Sequence, residues 1–188
     1  MDIGIPFKRL GKVDVAPLRD AILGVDESVW FLDDTRQRDY VVHLDTQSIV
    51  LLFCDGWPAI KVQRKSGWDL FAQQAMPIMT DLLKRHYPPG GMVMRAVAAR
   101  MRPGTVIPPH TDDHPSFHMI HRIHVPISTN RQVRFTVDKR LVTMKVGEAY
   151  EINNQREHSV SNTGQADRIH FIFDYAPPEK LGRPPAQA

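Results

Sequence analysis

The sequence is short of several features that would define its class. Of 188 residues one is cysteine, Cys54, so no disulfide can form within the chain and a reducing, cytoplasmic setting is expected. No apolar run approaches the roughly 18 residues needed to span a bilayer. The first ten residues also lack the apolar stretch of a signal peptide, so no membrane association is expected. Net charge is scarce: 24 Lys and Arg against 21 Asp and Glu leave +3. Without a clustered basic face, that surplus does not point to nucleic acid. There is no internal repeat, no glycine-rich phosphate loop and no dinucleotide-binding fingerprint. Histidine, by contrast, is abundant: nine in all, with five between His110 and His124.

Length and composition suit one domain over residues 1–176, with a Pro-rich flexible tail at 177–188. Residues 1–91 read as a mixed helical and strand part. Asp14 is placed to cap a short helix carrying Val15, Leu18, Ile22 and Val25. Residues 29–32 read as extended, 33–39 as a polar loop, and 40–44 and 48–53 as strands. Ser66-Gly-Trp-Asp69 fits a capping box. Leu70, Phe71, Ala75, Ile78, Met79, Leu82 and Leu83 then mark one helical face. Pro77 should kink or restart that helix, and Pro88-Pro-Gly-Gly91 should end it. From residue 92 the helical period disappears. Strands are expected at 92–101, 121–128, 133–137, 141–146, 149–152, 158–162 and 168–175. Short strands at close spacing predict a mainly β architecture, a barrel or jelly roll over 92–176, with the N-terminal helices packed against it.

Two short segments carry the chemistry. In Pro108-Pro-His110-Thr-Asp112, residues i and i+2 of a strand share a face, so His110 and Asp112 can bind one ion. With His158 they make two imidazoles and one carboxylate. That is the facial triad of non-haem iron(II) oxygenases, which leaves adjacent positions open for a bidentate cosubstrate and dioxygen. On the strand at 168–175, alternation puts Arg168, His170, Ile172 and Asp174 on one face. Ile169, Phe171 and Phe173 take the other. An inward guanidinium suits a carboxylate ligand, although Asp167 or Asp174 could serve as its partner instead. Arg122 and His124 share a face in the same way; a solvated strand face would give the same pattern. The bland reading of His110-x-Asp112 is a polar surface loop continued by Asp113 and His114.

The run Arg102-Pro-Gly-Thr-Val-Ile-Pro-Pro-His-Thr-Asp112, followed by Arg122-Ile-His-Val-Pro-Ile127, Gly147-Glu148, His158-Ser-Val-Ser-Asn162 and Arg168, resembles the aspartyl/asparaginyl β-hydroxylase family. The resemblance covers roughly residues 92–176. It implies a double-stranded β-helix fold, cupin-like, and an iron(II)- and 2-oxoglutarate-dependent dioxygenase using O2. It implies His110 and His158 as iron ligands and Arg168 on the distal carboxylate of 2-oxoglutarate. Arg122 and His124 would also contact 2-oxoglutarate, with Arg122 near its C1 end, and Met101 would line the cosubstrate pocket. Asp112 would complete the triad, since family members that lack this carboxylate use water in its place; Asp113 is the fallback ligand. The implied reaction hydroxylates an unactivated carbon of an amino acid, an amino-acid-like metabolite or a peptide side chain. The rival reading is a cupin-like metal-binding protein without oxygenase activity. A small-molecule or peptide partner is therefore expected, and neither nucleic acid nor a membrane. His114, His118 and His121 read as a loop at the mouth of the site, and His43 and His86 as structural or exposed. Cys54 reads as core, Trp30, Trp57 and Trp68 as packing residues, and Lys61, Arg64 and Lys65 as a solvated face.

Overall fold

The computed structural model describes residues 1–33 and 45–182. Most of the expected polar loop at 33–39, the strand at 40–44 with His43, and the end of the tail lie outside the described residues. The strands are β1 (Phe7–Lys12), β2 (Gln47–Asp55), β3 (Lys61–Arg64), β4 (Met92–Met101), β5 (Val106–His110) and β6 (His121–Ser128). They continue with β7 (Val133–Val137), β8 (Arg140–Leu141), β9 (Glu148–Ile152), β10 (His158–Asn162) and β11 (Arg168–Ala176). Helix α1 spans Ala16–Leu23 and α2 spans Ser66–His86. The strands form two antiparallel sheets. The larger has the order β1-β9-β6-β11-β4-β2-β3 and the smaller β5-β10-β7-β8. This is a jelly roll, mainly β, as the strand pattern predicts.

Alternation along the central strands sorts side chains between two interiors. Ile169, Phe171, Phe173 and Tyr175 of β11, Ile123, Val125 and Ile127 of β6, and Ala96 and Ala98 of β4 face the helices. There they meet Leu18 and Ile22 of α1 and Phe71, Ala75, Ile78 and Leu82 of α2. The opposite faces of these strands look into the space between the sheets. That space is closed at one end by a second apolar cluster of Met101, Ile107, Phe135, Val137, Val160 and Ile152. Gly67 lets α2 approach β2 closely, because a Cβ there would lie 2.6 Å from the Val50 carbonyl oxygen.

Several local expectations differ from the structure. Residues 29–32 are not extended; Glu27–Phe31 is a 3₁₀ turn capped by Asp26, which accepts from the Ser28 N–H at 2.9 Å. Ser66 does not cap α2. Lys65 occupies that position, pinned by its N–H to the Leu51 carbonyl at 2.9 Å, so the chain enters the helix one residue early. Pro77 neither restarts nor ends α2. It lies on the exposed face, where a carbonyl left without its helical partner is not buried. Leu70 is exposed rather than part of the buried face. The expected strand at 141–146 shrinks to β8, a two-residue edge pairing.

Three buried polar groups lock α2 to the large sheet. Glu151 on β9 accepts from the Tyr87 hydroxyl at 2.9 Å and pairs with His121 Nδ1 on β6. The Tyr87 and His121 rings lie 4.6 Å apart. This places His121 in the framework, away from the mouth of the site. Removing the shared carboxylate strands both partners, so Glu151→Leu should lower unfolding free energy by about 3 kcal/mol. Urea denaturation of the purified variant measures it.

Candidate active site

The sequence suits β5 to an edge. The successive Pro108 and Pro109 offer no amide hydrogen to a second neighbour. β5 accordingly flanks the small sheet and pairs only with β10, with an irregularity between His158 and Val160. In that register His110 stands directly opposite His158, and their ring centroids are 4.3 Å apart.

Asp112 reaches the same point by a different route from the one expected. β5 ends at His110, so the shared-face argument for a continuous strand does not apply. A loop carries Asp112 inward, and its N–H donates to the Asn154 carbonyl at 3.1 Å. Gln155 Nε2 donates to the Asp112 carbonyl at 3.3 Å. One ligand atom each from His110, Asp112 and His158 falls within 4.8 Å of the others. Asp113 is not in this group; its exposed carboxylate accepts from the Thr111 hydroxyl at 2.7 Å.

The tautomers suit a metal. A carbonyl only accepts, so His110 Nδ1 donates to the Pro108 oxygen at 2.8 Å and His158 Nδ1 donates to the Arg156 oxygen at 3.0 Å. Each ring is oriented by its own backbone two residues upstream, and Nε2 carries the lone pair. Burial, more than the neighbouring charges, holds His158 below the usual histidine range, which keeps it neutral and able to ligate.

A chain of buried charges supports the third ligand. Arg122 donates to Asp112 and grips both oxygens of Asp174, at 2.9 Å each. Arg95 on β4 reaches Asp174 at 3.4 Å. The Phe117 ring meets both guanidiniums, its centroid 4.5 Å from Arg122 and 4.4 Å from Arg95. Burial alone would push the Asp174 carboxyl up. Arg122 and Arg95 together outweigh that and hold it below the ordinary carboxylate range. Arg122 is thus built into a clamp on Asp112, a different setting from the cosubstrate contact expected of it.

The triad opens into a cavity of about 450 Å³, within the usual size range for a small-molecule site. Arg168, Arg122, His124, Ile172 and Asp174 line it, as the alternation on β6 and β11 predicts. Arg168 is 3% exposed. Its Nη2 donates to His170 Nδ1 at 2.8 Å, so the proton on His170 sits at Nε2. The 3.3 Å approach of His124 Nδ1 to that same His170 atom then makes His124 Nδ1 the donor. Burial, then Arg168 and His124, push His170 well below its ordinary range, consistent with a neutral ring. Neither Asp167 nor Asp174 takes up Arg168: Asp167 lies 3.7 Å from Arg100, and Asp174 binds Arg122 and Arg95. Met101 does not line the cavity. It stands directly opposite Arg168 across β4 and β11, Sδ 3.7 Å from Nη1, within the apolar end cluster.

The sequence reading did not single out Arg95, Ser116 or Phe117. A charged residue inside the apolar run Met92–Met101 was the available signal for Arg95. Cys54 is buried, and burial raises its thiol, so no thiolate chemistry attaches to it.

The family model described as aspartyl/asparaginyl beta-hydroxylase matches residues 32–178, which extends well upstream of the motif-bearing half. No curated protein matches the chain. Solved structures share the fold at low identity. A viral collagen prolyl hydroxylase from Paramecium bursaria Chlorella virus-1, in complex with 2-oxoglutarate, is 10% identical, with a TM-score of 0.53 over 93% of this chain and 97% of that one. HygX from Streptomyces hygroscopicus, with nickel and 2-oxoglutarate bound, is 13% identical, with a TM-score of 0.54 over 92% and 83%. A 2-oxoglutarate–Fe(II) oxygenase family oxidoreductase from Burkholderia pseudomallei is 11% identical, with a TM-score of 0.52 over 70% and 67%.

The charge chain gives a pH-dependent stability. A carboxyl depressed by folding stabilises the native state above its unfolded pKa, and that contribution fades as pH falls through the folded value. Asp174→Asn should therefore cost about 3 kcal/mol at pH 7, where it strands two buried arginines. The gap from the parent should narrow below about pH 4. Urea unfolding at pH 7 and pH 3 tests this; an identical gap at both would contradict it.

Proposed function

The chain belongs to the aspartyl/asparaginyl β-hydroxylase family, and from that premise we propose that it is an iron(II)- and 2-oxoglutarate-dependent dioxygenase. Its acceptor is an unactivated carbon of an amino acid, an amino-acid-like metabolite or a peptide side chain. The observation that carries this reading is the convergence of His110, Asp112 and His158 within 4.8 Å on a cavity whose wall includes Arg168. The donor set fits iron: two imidazoles and one carboxylate on one side, with the opposite side open to the cavity.

Each residue has a role that follows from its surroundings. His110, Asp112 and His158 would hold the metal. Arg122 fixes one oxygen of Asp112, so the carboxylate presents the other and cannot swing away. Arg168, buried beside a neutral His170, would pair bidentately with the distal carboxylate of 2-oxoglutarate, a stronger acceptor than imidazole. Arg168 and His124 both donate to His170 Nδ1, which sets the plane of the guanidinium. Met101 packs behind the guanidinium. Apolar walls from Val97, Ile107, Phe135 and Val160 keep bulk water from the reacting centre. When bound, iron and 2-oxoglutarate supply oxidative decarboxylation to succinate and carbon dioxide, coupled to insertion of one oxygen atom into a C–H bond.

The reading is tested by succinate formation with iron(II), 2-oxoglutarate, O2 and a panel of free amino acids and short peptides, with mass spectrometry seeking a gain of one oxygen. His110→Ala and His158→Ala should abolish turnover. Arg168→Gln should weaken 2-oxoglutarate binding to the Mn(II)-loaded protein by about 10- to 100-fold, the value of a charged hydrogen-bonded pair. A wild-type protein that binds metal but not 2-oxoglutarate would point instead to a metal-binding module.

A further inference from the structure

Beside the main cavity lies a second one of about 370 Å³. The two share Phe53, Arg95 and His114. Arg95 is 6% exposed and is held over the rings of Phe53 and Phe117, at 5.7 and 4.4 Å. Its Nη2 donates to Ser116 Oγ at 2.6 Å. Its Nη1 has only the long contact to Asp174, whose oxygens are both taken at shorter range by Arg122. The buried Nε has no hydrogen-bond partner among the described residues. A guanidinium donor left without an acceptor in the interior is costly, and Arg95 lines both cavities where they meet, so a carboxylate there would meet an under-satisfied guanidinium.

His114 supplies a second donor at the same junction. Ser116 Oγ accepts from Arg95, so its own proton goes to His114 Nδ1, 2.8 Å away. The Ser116 N–H donates to the same nitrogen at 3.2 Å. The ring proton of His114 therefore sits on Nε2, as an N–H donor. Phe53, Trp57 and Ile60 give the second cavity apolar walls. Asp55, also on that wall, is engaged by Gln63 Nε2 at 2.9 Å.

We propose that the second cavity holds the carboxylate-bearing end of the molecule to be hydroxylated. Arg95 and His114 grip the carboxylate, and the adjoining hydrocarbon lies against Trp57 and Ile60. The reacting end passes Phe53 into the main cavity. This rests on the oxygenase reading above and narrows it: the acceptor is a free carboxylic acid with an apolar body, in preference to an internal residue of a polypeptide.

The test uses 3-phenylpropanoate and its amide as probes, followed by ligand-observed NMR on the Mn(II)-loaded protein with saturating 2-oxoglutarate. The acid should bind roughly tenfold or more tightly than the amide. Arg95→Gln should erase that ratio and Arg95→Lys should keep part of it. Equal binding of acid and amide to the unmodified protein overturns the proposal, whatever the variants do. So does a ratio that survives Arg95→Gln. Titration with 2-oxoglutarate alone reads the oxygenase assignment separately, so a failure there is not confused with a failure here.

Discussion

The structure of this site depends on one ionic chain, Arg95–Asp174–Arg122–Asp112, laid across three adjacent strands and one loop. Asp174 is fully buried toward the C-terminal end of β11, the strand that pairs with both β4 and β6. A carboxylate there is tolerable only because two guanidiniums reach it. Both guanidiniums also rest against the Phe117 ring. The loop holding Asp112 has no regular secondary structure to brace it, so its orientation rests on Arg122 and on the backbone contacts from Asn154 and Gln155.

Around that chain the fold divides its labour between the two sheets. The large sheet carries the helices on one face and the arginines on the other. The small sheet contributes both histidines, from paired positions on β5 and β10. The cavity between them is therefore basic on one wall and metal-ligating on the other. That polarity suits a dicarboxylate that must touch both.

What the sequence made legible follows from burial. Interior strands β4, β6, β10 and β11 alternate or run apolar, and their spans were readable to within a residue or two. So were the inward faces that carry Arg122, His124 and Arg168. Strands β1 and β3 were not legible. They are edge strands of Phe-Lys-Arg-Leu-Gly-Lys and Lys-Val-Gln-Arg, mostly exposed, and nothing in their composition distinguishes them from loop. Arg95 escaped because it lies one strand away from the motif residues it serves. The pairing of β4 with β11 that brings it to Asp174 is a long-range fact no local pattern encodes. Met101, expected at the cosubstrate pocket from the family resemblance alone, stands opposite Arg168 across β4 and β11 and packs against its guanidinium.

The cross-strand placement of His110 and His158 has a consequence for the small sheet itself. β5 is a proline-bearing edge held by one neighbour, and its last residue meets β10 at a register irregularity. An ion shared by those two side chains is also a clip across this edge seam of the jelly roll. Metal affinity and the closure of that seam are then one equilibrium seen from two sides. Whatever seats β5 more firmly on β10 tightens the hold on the ion, and loss of the ion loosens the margin of the barrel from which two of its three ligands come.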